Sequence, residues 1–81
     1  MGIERLTAVF RDTFGDDSLV LLPDMSPKTL KGWDSFNHIN LVLGVEGEFG
    51  VTFTTDEIQG LKSVAQLVDL LYAKGQVITW E

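Results

Sequence analysis

Three glycines, Gly15, Gly50 and Gly75, each close a series of apolar residues spaced by three and four. Glycine takes the left-handed conformation that commonly ends a helix, so this punctuation divides the chain into short helices. Ile3, Leu6, Phe10 and Phe14, with Val9 beside them, set the first helix at about 3–14. Phe36, Ile39, Leu43 and Phe49, with Val42 and Val45, set the second at 35–49, as one wide apolar stripe opened by Asp34. Val64, Leu67, Val68 and Leu71 trace the last, at 64–74. Thr54 with Glu57, and Ser63 with Gln66, match the capping-box spacing, so a third helix fits only at 55–60.

No stretch alternates long enough to demand a sheet. The segment "GVTFTT" reads as an extended loop with Val51 and Phe53 inward, because a lone strand is not stable. Gly44 and Gly47 inside the second helix each cost roughly 1 kcal/mol relative to Ala, and mark a bend or a close neighbour. The connection "DDSLVLLPDMSPKTLKG" lacks periodicity and carries both prolines; Leu19, Leu21, Leu22, Met25 and Leu30 are expected to pin it across the core, with one helical turn opened by Ser26. The expected architecture is all-α: a four-helix bundle with a long first loop and a short third helix, in one domain, 1–81. The tail, 75–81, is free to fray or to fold back through Ile78 and Trp80.

At 81 residues such a domain buries about 60% of its unfolded surface, which leaves little room for an enclosed active site. Twelve acids against six basic residues give a net charge of −6, which argues against nucleic acid and for basic protein partners. With no cysteine and one histidine, no thiolate or zinc centre is expected. Glu4, Arg5, Arg11 and Asp12 interrupt the first apolar series, so it reads as neither signal peptide nor membrane span, and the cytoplasm is expected. Gly2 is not followed by the Ser or Thr of a myristoylation signal, since Leu6 stands there. A monomer is expected.

The chemistry-bearing stretch is "WDSFNH". Asp34 and Ser35 both suit a helix start, although a cap needs only one of them. Plain capping by Asp34 is one reading. A nucleophilic Ser35 with His38 three residues on is another, but no orienting group, oxyanion donors or cleft accompany the pair, and a lone histidine here reads as a solvated side chain.

A third reading comes from the wider pattern. "WDSFNHINLVLGVEGEFGVTFTTDEIQGLKSVAQLVDLL" resembles the acyl carrier protein family, which places an Asp-Ser-Leu at the start of its second helix. The resemblance covers about residues 30–74, with the "EGEFG" and "TTDEI" segments in register. It implies a 4'-phosphopantetheine arm on Ser35, with Asp34 assisting the modification by helping hold the Mg²⁺ used only for the transfer. It further implies a non-enzymatic phosphoprotein that carries acyl thioesters, shelters them in a groove of the second helix, and meets a phosphopantetheinyl transferase and acyl-loading and acyl-processing enzymes. Fatty-acid, polyketide or related lipid biosynthesis is implied; an aminoacyl or peptidyl carrier and an unmodified helical interaction module are the alternatives.

The pattern departs from the family where partners dock. Phe36 replaces the usual Leu, and Asn37 and Asn40 stand where acids are frequent, with His38 between them. Glu46, Glu48, Asp56 and Glu57 keep the later surface acidic. Docking is expected through these residues, either shifted toward the C-terminus of the second helix or tuned to less basic partners, in a specialised rather than a housekeeping carrier.

Overall fold

The computed structural model describes residues 3–80, so Gly2 and the last residue of the tail lie outside the described residues. Four helices make up the described architecture: α1 (Glu4–Phe14), α2 (Ser35–Phe49), α3 (Thr55–Gly60) and α4 (Val64–Ala73). No strand occurs among the described residues. Gly15 and Gly50 end α1 and α2 at φ +65° and +66°, and their N–H groups return to the carbonyls of Arg11 and Glu46. No helix of the described chain is long and apolar enough to cross a membrane.

α1 buries Leu6, Val9 and Phe10 and packs on α2, with Val9 lying against Gly44. A Cβ placed there would stand 3.0 Å from Val9 Cγ1, whereas at Gly47 it would meet nothing within 4 Å. Only Gly44 therefore serves close packing. The buried face of α2 is Leu41, Val42, Val45 and Phe49. Phe36, Ile39 and Leu43, expected in that stripe, instead point to solvent at 75%, 49% and 59% exposure. The cause is that α2 is apolar on two sides, so periodicity does not say which side faces the core.

The first connection lies across the bundle and is fastened at both ends. Arg11 Nε donates to the Leu19 carbonyl at 2.8 Å. The amides of Val64 and Ala65, orphans at the start of α4, donate to the carbonyls of Met25 and Pro23 at 2.9 and 3.0 Å. Leu19 and Leu21 are buried, and Met25 and Leu30 pack half-buried against them. Leu22 is the exception at 53% exposure. Ser26 opens a single turn, its carbonyl accepting from Leu30 N at 2.8 Å.

α3 is capped reciprocally: Glu57 N donates to Thr54 Oγ1 at 3.1 Å, and Thr54 N to Glu57 Oε1 at 2.9 Å. The second expected box is altered. Ser63 Oγ accepts from Gln66 N, but Gln66 Oε1 reaches one residue further and accepts from Lys62 N at 2.7 Å. The loop between α2 and α3 turns Phe53 into the core and Val51 partly so, and Phe53 N donates to Glu46 Oε2 at 2.8 Å. Beyond α4, Ile78 folds back into the core while Trp80 stays 40% exposed.

The Glu57 carboxyl also pairs with Lys74 at 2.9 Å. The Thr54 backbone amide, and after it the Lys74 ammonium, hold its pKa below the ordinary carboxylate value. A depressed folded-state pKa stabilises the fold above the unfolded value, and that contribution is lost as pH falls through the folded value. Glu57→Gln should therefore melt below the unsubstituted protein near neutral pH, with the gap closing as pH drops below about 4.3. Thermal circular dichroism across that range checks this; a gap that does not change with pH would contradict it.

Candidate functional site

The site is built outward from Trp33, which is only 4% exposed. Its ring meets Phe10 edge-on, with centroids 5.7 Å apart, and Phe14 at 6.2 Å. This anchor fixes where α2 begins. Gly32 precedes it at φ +93°, a conformation that favours glycine, and the Gly32 carbonyl accepts from Asn37 Nδ2 at 2.8 Å.

Asp34 is the N-cap: Oδ1 accepts from Asn37 N at 2.8 Å, and its carbonyl accepts from His38 N at 2.8 Å. Its other carboxylate oxygen has no hydrogen bond among the described residues. Ser35 follows, exposed, and its hydroxyl bonds to nothing in the described chain. The amides of Ser35 and Phe36 at the helix start likewise have no protein partner there. Capping is thus assigned to Asp34 alone, and an idle hydroxyl sits at the positive end of a fifteen-residue helix.

His38 is not the solvated side chain expected. It is half-buried, and both ring nitrogens are engaged. The Trp33 indole N–H donates to Nδ1 at 3.0 Å, and Nε2 lies 2.7 Å from the Ile58 carbonyl. An indole only donates and a carbonyl only accepts, so the ring is a neutral imidazole with its proton on Nε2. No ring nitrogen remains for Ser35, and the hydrolase reading fails on that ground. Trp33 and His38 occupy the residue before the cap and the fourth helical position, where a hydrophobic staple packs, and their rings stack at 24°. That spacing was the available signal for this contact.

Beside Ser35 an open groove of about 550 Å³ runs between the start of α2 and the end of α3, walled by Trp33, His38, Ile39, Ile58 and Leu61. Lys62 and Asp34 stand at its edge.

Of the expected docking residues, Phe36, Asn40, Glu48 and Asp56 are exposed, while Asn37, His38, Glu46 and Glu57 are half-buried. Those four are also bonded internally. Glu48, though exposed, pairs with Arg5 at 2.8 Å. The Asp56 side chain has no ion-pair or hydrogen-bond partner among the described residues. The outer surface of α2 is instead apolar, through Phe36, Ile39 and Leu43, all three of which the periodicity had put in the core-facing stripe.

No family model matches the chain. An acyl carrier protein of Thermosynechococcus vestitus is 28% identical over 72 residues, which span 89% of each chain. The solution structure of a holo acyl carrier protein from Geobacter metallireducens matches with a TM-score of 0.81 at 39% identity, over 89% of this chain and 83% of that one. With the four-helix order, the capped Asp34 and the outward Ser35 in the same chain, these similarities establish that it belongs to the acyl carrier protein family.

Proposed function

We propose that this chain carries acyl intermediates as thioesters on a 4'-phosphopantetheine arm attached at Ser35, and is a substrate handle rather than a catalyst. The observation that carries this is the Ser35 hydroxyl, exposed and unbonded one residue after a cap that Asp34 already supplies. The arm supplies a terminal thiol for the acyl group. On modification the Ser35 hydroxyl loses its proton and forms a phosphodiester with the pantetheine-bearing phosphorus as the pyrophosphate bond of coenzyme A breaks, adenosine 3',5'-bisphosphate leaves, and the helix start favours the anion that remains. Asp34 has one uncommitted carboxylate oxygen to help hold the Mg²⁺ that neutralises the pyrophosphate.

Partners dock on the outer surface of α2, with Phe36, Ile39 and Leu43 as its apolar centre, Asn40 among them, and Glu48 and Asp56 at the rim. The partners are a phosphopantetheinyl transferase and the enzymes that load and process the acyl group, in the cytoplasm. The few charges on the first half of α2 favour a specialised polyketide or modified-lipid pathway over housekeeping fatty-acid synthesis.

Incubation with coenzyme A, Mg²⁺ and a broad-specificity transferase should add one phosphopantetheine mass, and Ser35→Ala should add none. An unchanged mass for the unsubstituted protein, under conditions that convert a control carrier, overturns the proposal. A Ser35→Ala variant that functions normally in its host points instead to an unmodified interaction module.

A further inference from the structure

Half of the chain's six basic side chains are committed: Arg5 pairs with Glu48, Arg11 with the Leu19 carbonyl, and Lys74 with Glu57. The ammonium groups of Lys28, Lys31 and Lys62 have no partner among the described residues. From Met25 to Val45 the chain carries a single acid, Asp34, so the uncommitted cations of a net-acidic protein meet little opposing charge near Ser35. Of the three, Lys62 lines the same cavity as Ser35. Its backbone is fixed in advance: Leu61 before it is buried, Ser63 after it caps α4, and its own amide donates to Gln66 Oε1 at 2.7 Å. Only side-chain freedom is then lost when the ammonium meets an anion. Asp34 lines that cavity too, yet forms no ion pair with Lys62 among the described residues.

We infer that Lys62 is the counter-charge for the phosphodiester at the root of the Ser35 arm, a phosphate subsite that draws this root to the Lys62 side of the helix start. This rests on Ser35 being the attachment point. Modification places an anion one residue from the Asp34 carboxylate, and like charges so placed repel. The unpartnered amides of Ser35 and Phe36 offset part of that repulsion as partial charges. Lys62 supplies a whole positive charge, and an ammonium with three rotatable donors suits a phosphate that a covalent bond already positions. Phe36 is not a wall of the cavity, so a root drawn to Lys62 leaves that ring uncovered for docking.

The test is a cycle of four proteins, apo and phosphopantetheinylated, each with Lys62 and with Lys62→Gln, unfolded in urea and followed by circular dichroism. The contribution of the helix start is common to both rows and cancels, so the cycle reads the pairing of lysine with phosphate. At about 10 mM salt, modification should favour the folded state about two- to fivefold more with Lys62 than with Gln, the range for an exposed ion pair. At about 1 M salt, where the screening length is about 3 Å, the difference should vanish. Lys62→Arg should keep it, and Lys31→Gln, which removes the same charge from outside the cavity, should show none. A second measurement needs no variant: the nuclear magnetic resonance signal of Lys62 Cε should move on modification, while those of Lys28 and Lys31 stay in place.

No coupling in a folded Lys62→Gln, equal coupling for Lys31→Gln, or a Lys62 signal that stays in place on modification overturns the assignment. Failure of the attachment reading is separable, because it shows as no mass gain on incubation with coenzyme A and takes both readings with it. A protein that gains the mass and shows no coupling overturns the role of Lys62 alone.

Discussion

Trp33→Ala should lower the stability of the fold by about 3–5 kcal/mol, the range for deleting a buried large aromatic. The residue is 4% exposed and edges against Phe10 and Phe14, so truncation leaves a cavity between α1 and the first connection. It also removes the donor to His38 Nδ1, which loosens the tie to α3. A chain of 81 residues has a total stability of roughly 4–12 kcal/mol, so the loss takes a large share of it. Urea unfolding followed by circular dichroism measures this. Trp33→Phe should retain most of the packing and lose about 1–2 kcal/mol, the hydrogen-bond part with some volume. A loss under about 1 kcal/mol for Trp33→Ala would contradict the anchoring role.

That anchoring role shows where the sequence was readable and where it was not. The helix ends were legible because caps are local chemistry: Gly15 and Gly50 sit at positive φ, and Asp34 and Thr54 each accept from an amide three residues on. Ser35 stood out for the same reason, as a polar residue that the cap did not need. The orientation of α2 was illegible because it depends on what the helix packs against. With Leu41, Val42 and Val45 on one side and Phe36, Ile39 and Leu43 on the other, both faces satisfy the spacing rule. His38 was misplaced for a related reason. Its partners are an indole five residues back and a carbonyl twenty residues on, and only the first is within reach of a spacing argument. Glu46 looked like a docking acid because side-chain charge is visible in a sequence, while the Phe53 amide it binds is not; Glu57 stood among the expected docking residues although its capping-box spacing already gave it the Thr54 amide.

Phe36→Ala should leave stability within about 0.5 kcal/mol, since its ring is 75% exposed, and yet cut kcat/KM for phosphopantetheinyl transfer about thirtyfold. That factor corresponds to about 2 kcal/mol, the loss typical when a central aromatic of an interface is truncated. Phe36 is the exposed aromatic next in sequence to Ser35, and Ile39 and Leu43 add exposed apolar surface along α2, so an enzyme docked on that surface would cover the ring. From Ser35 to Val45 the helix carries no acid, lysine or arginine, so this contact should respond weakly to ionic strength. Glu48→Gln and Asp56→Asn should each change kcat/KM by no more than the factor that about 1 kcal/mol allows, because exposed charges at a rim contribute little. Transfer rates for the three variants at low and high salt decide between the surfaces. A large, salt-sensitive loss in the two acidic variants with Phe36→Ala unaffected would move docking from the apolar face of α2 to its acidic end and α3.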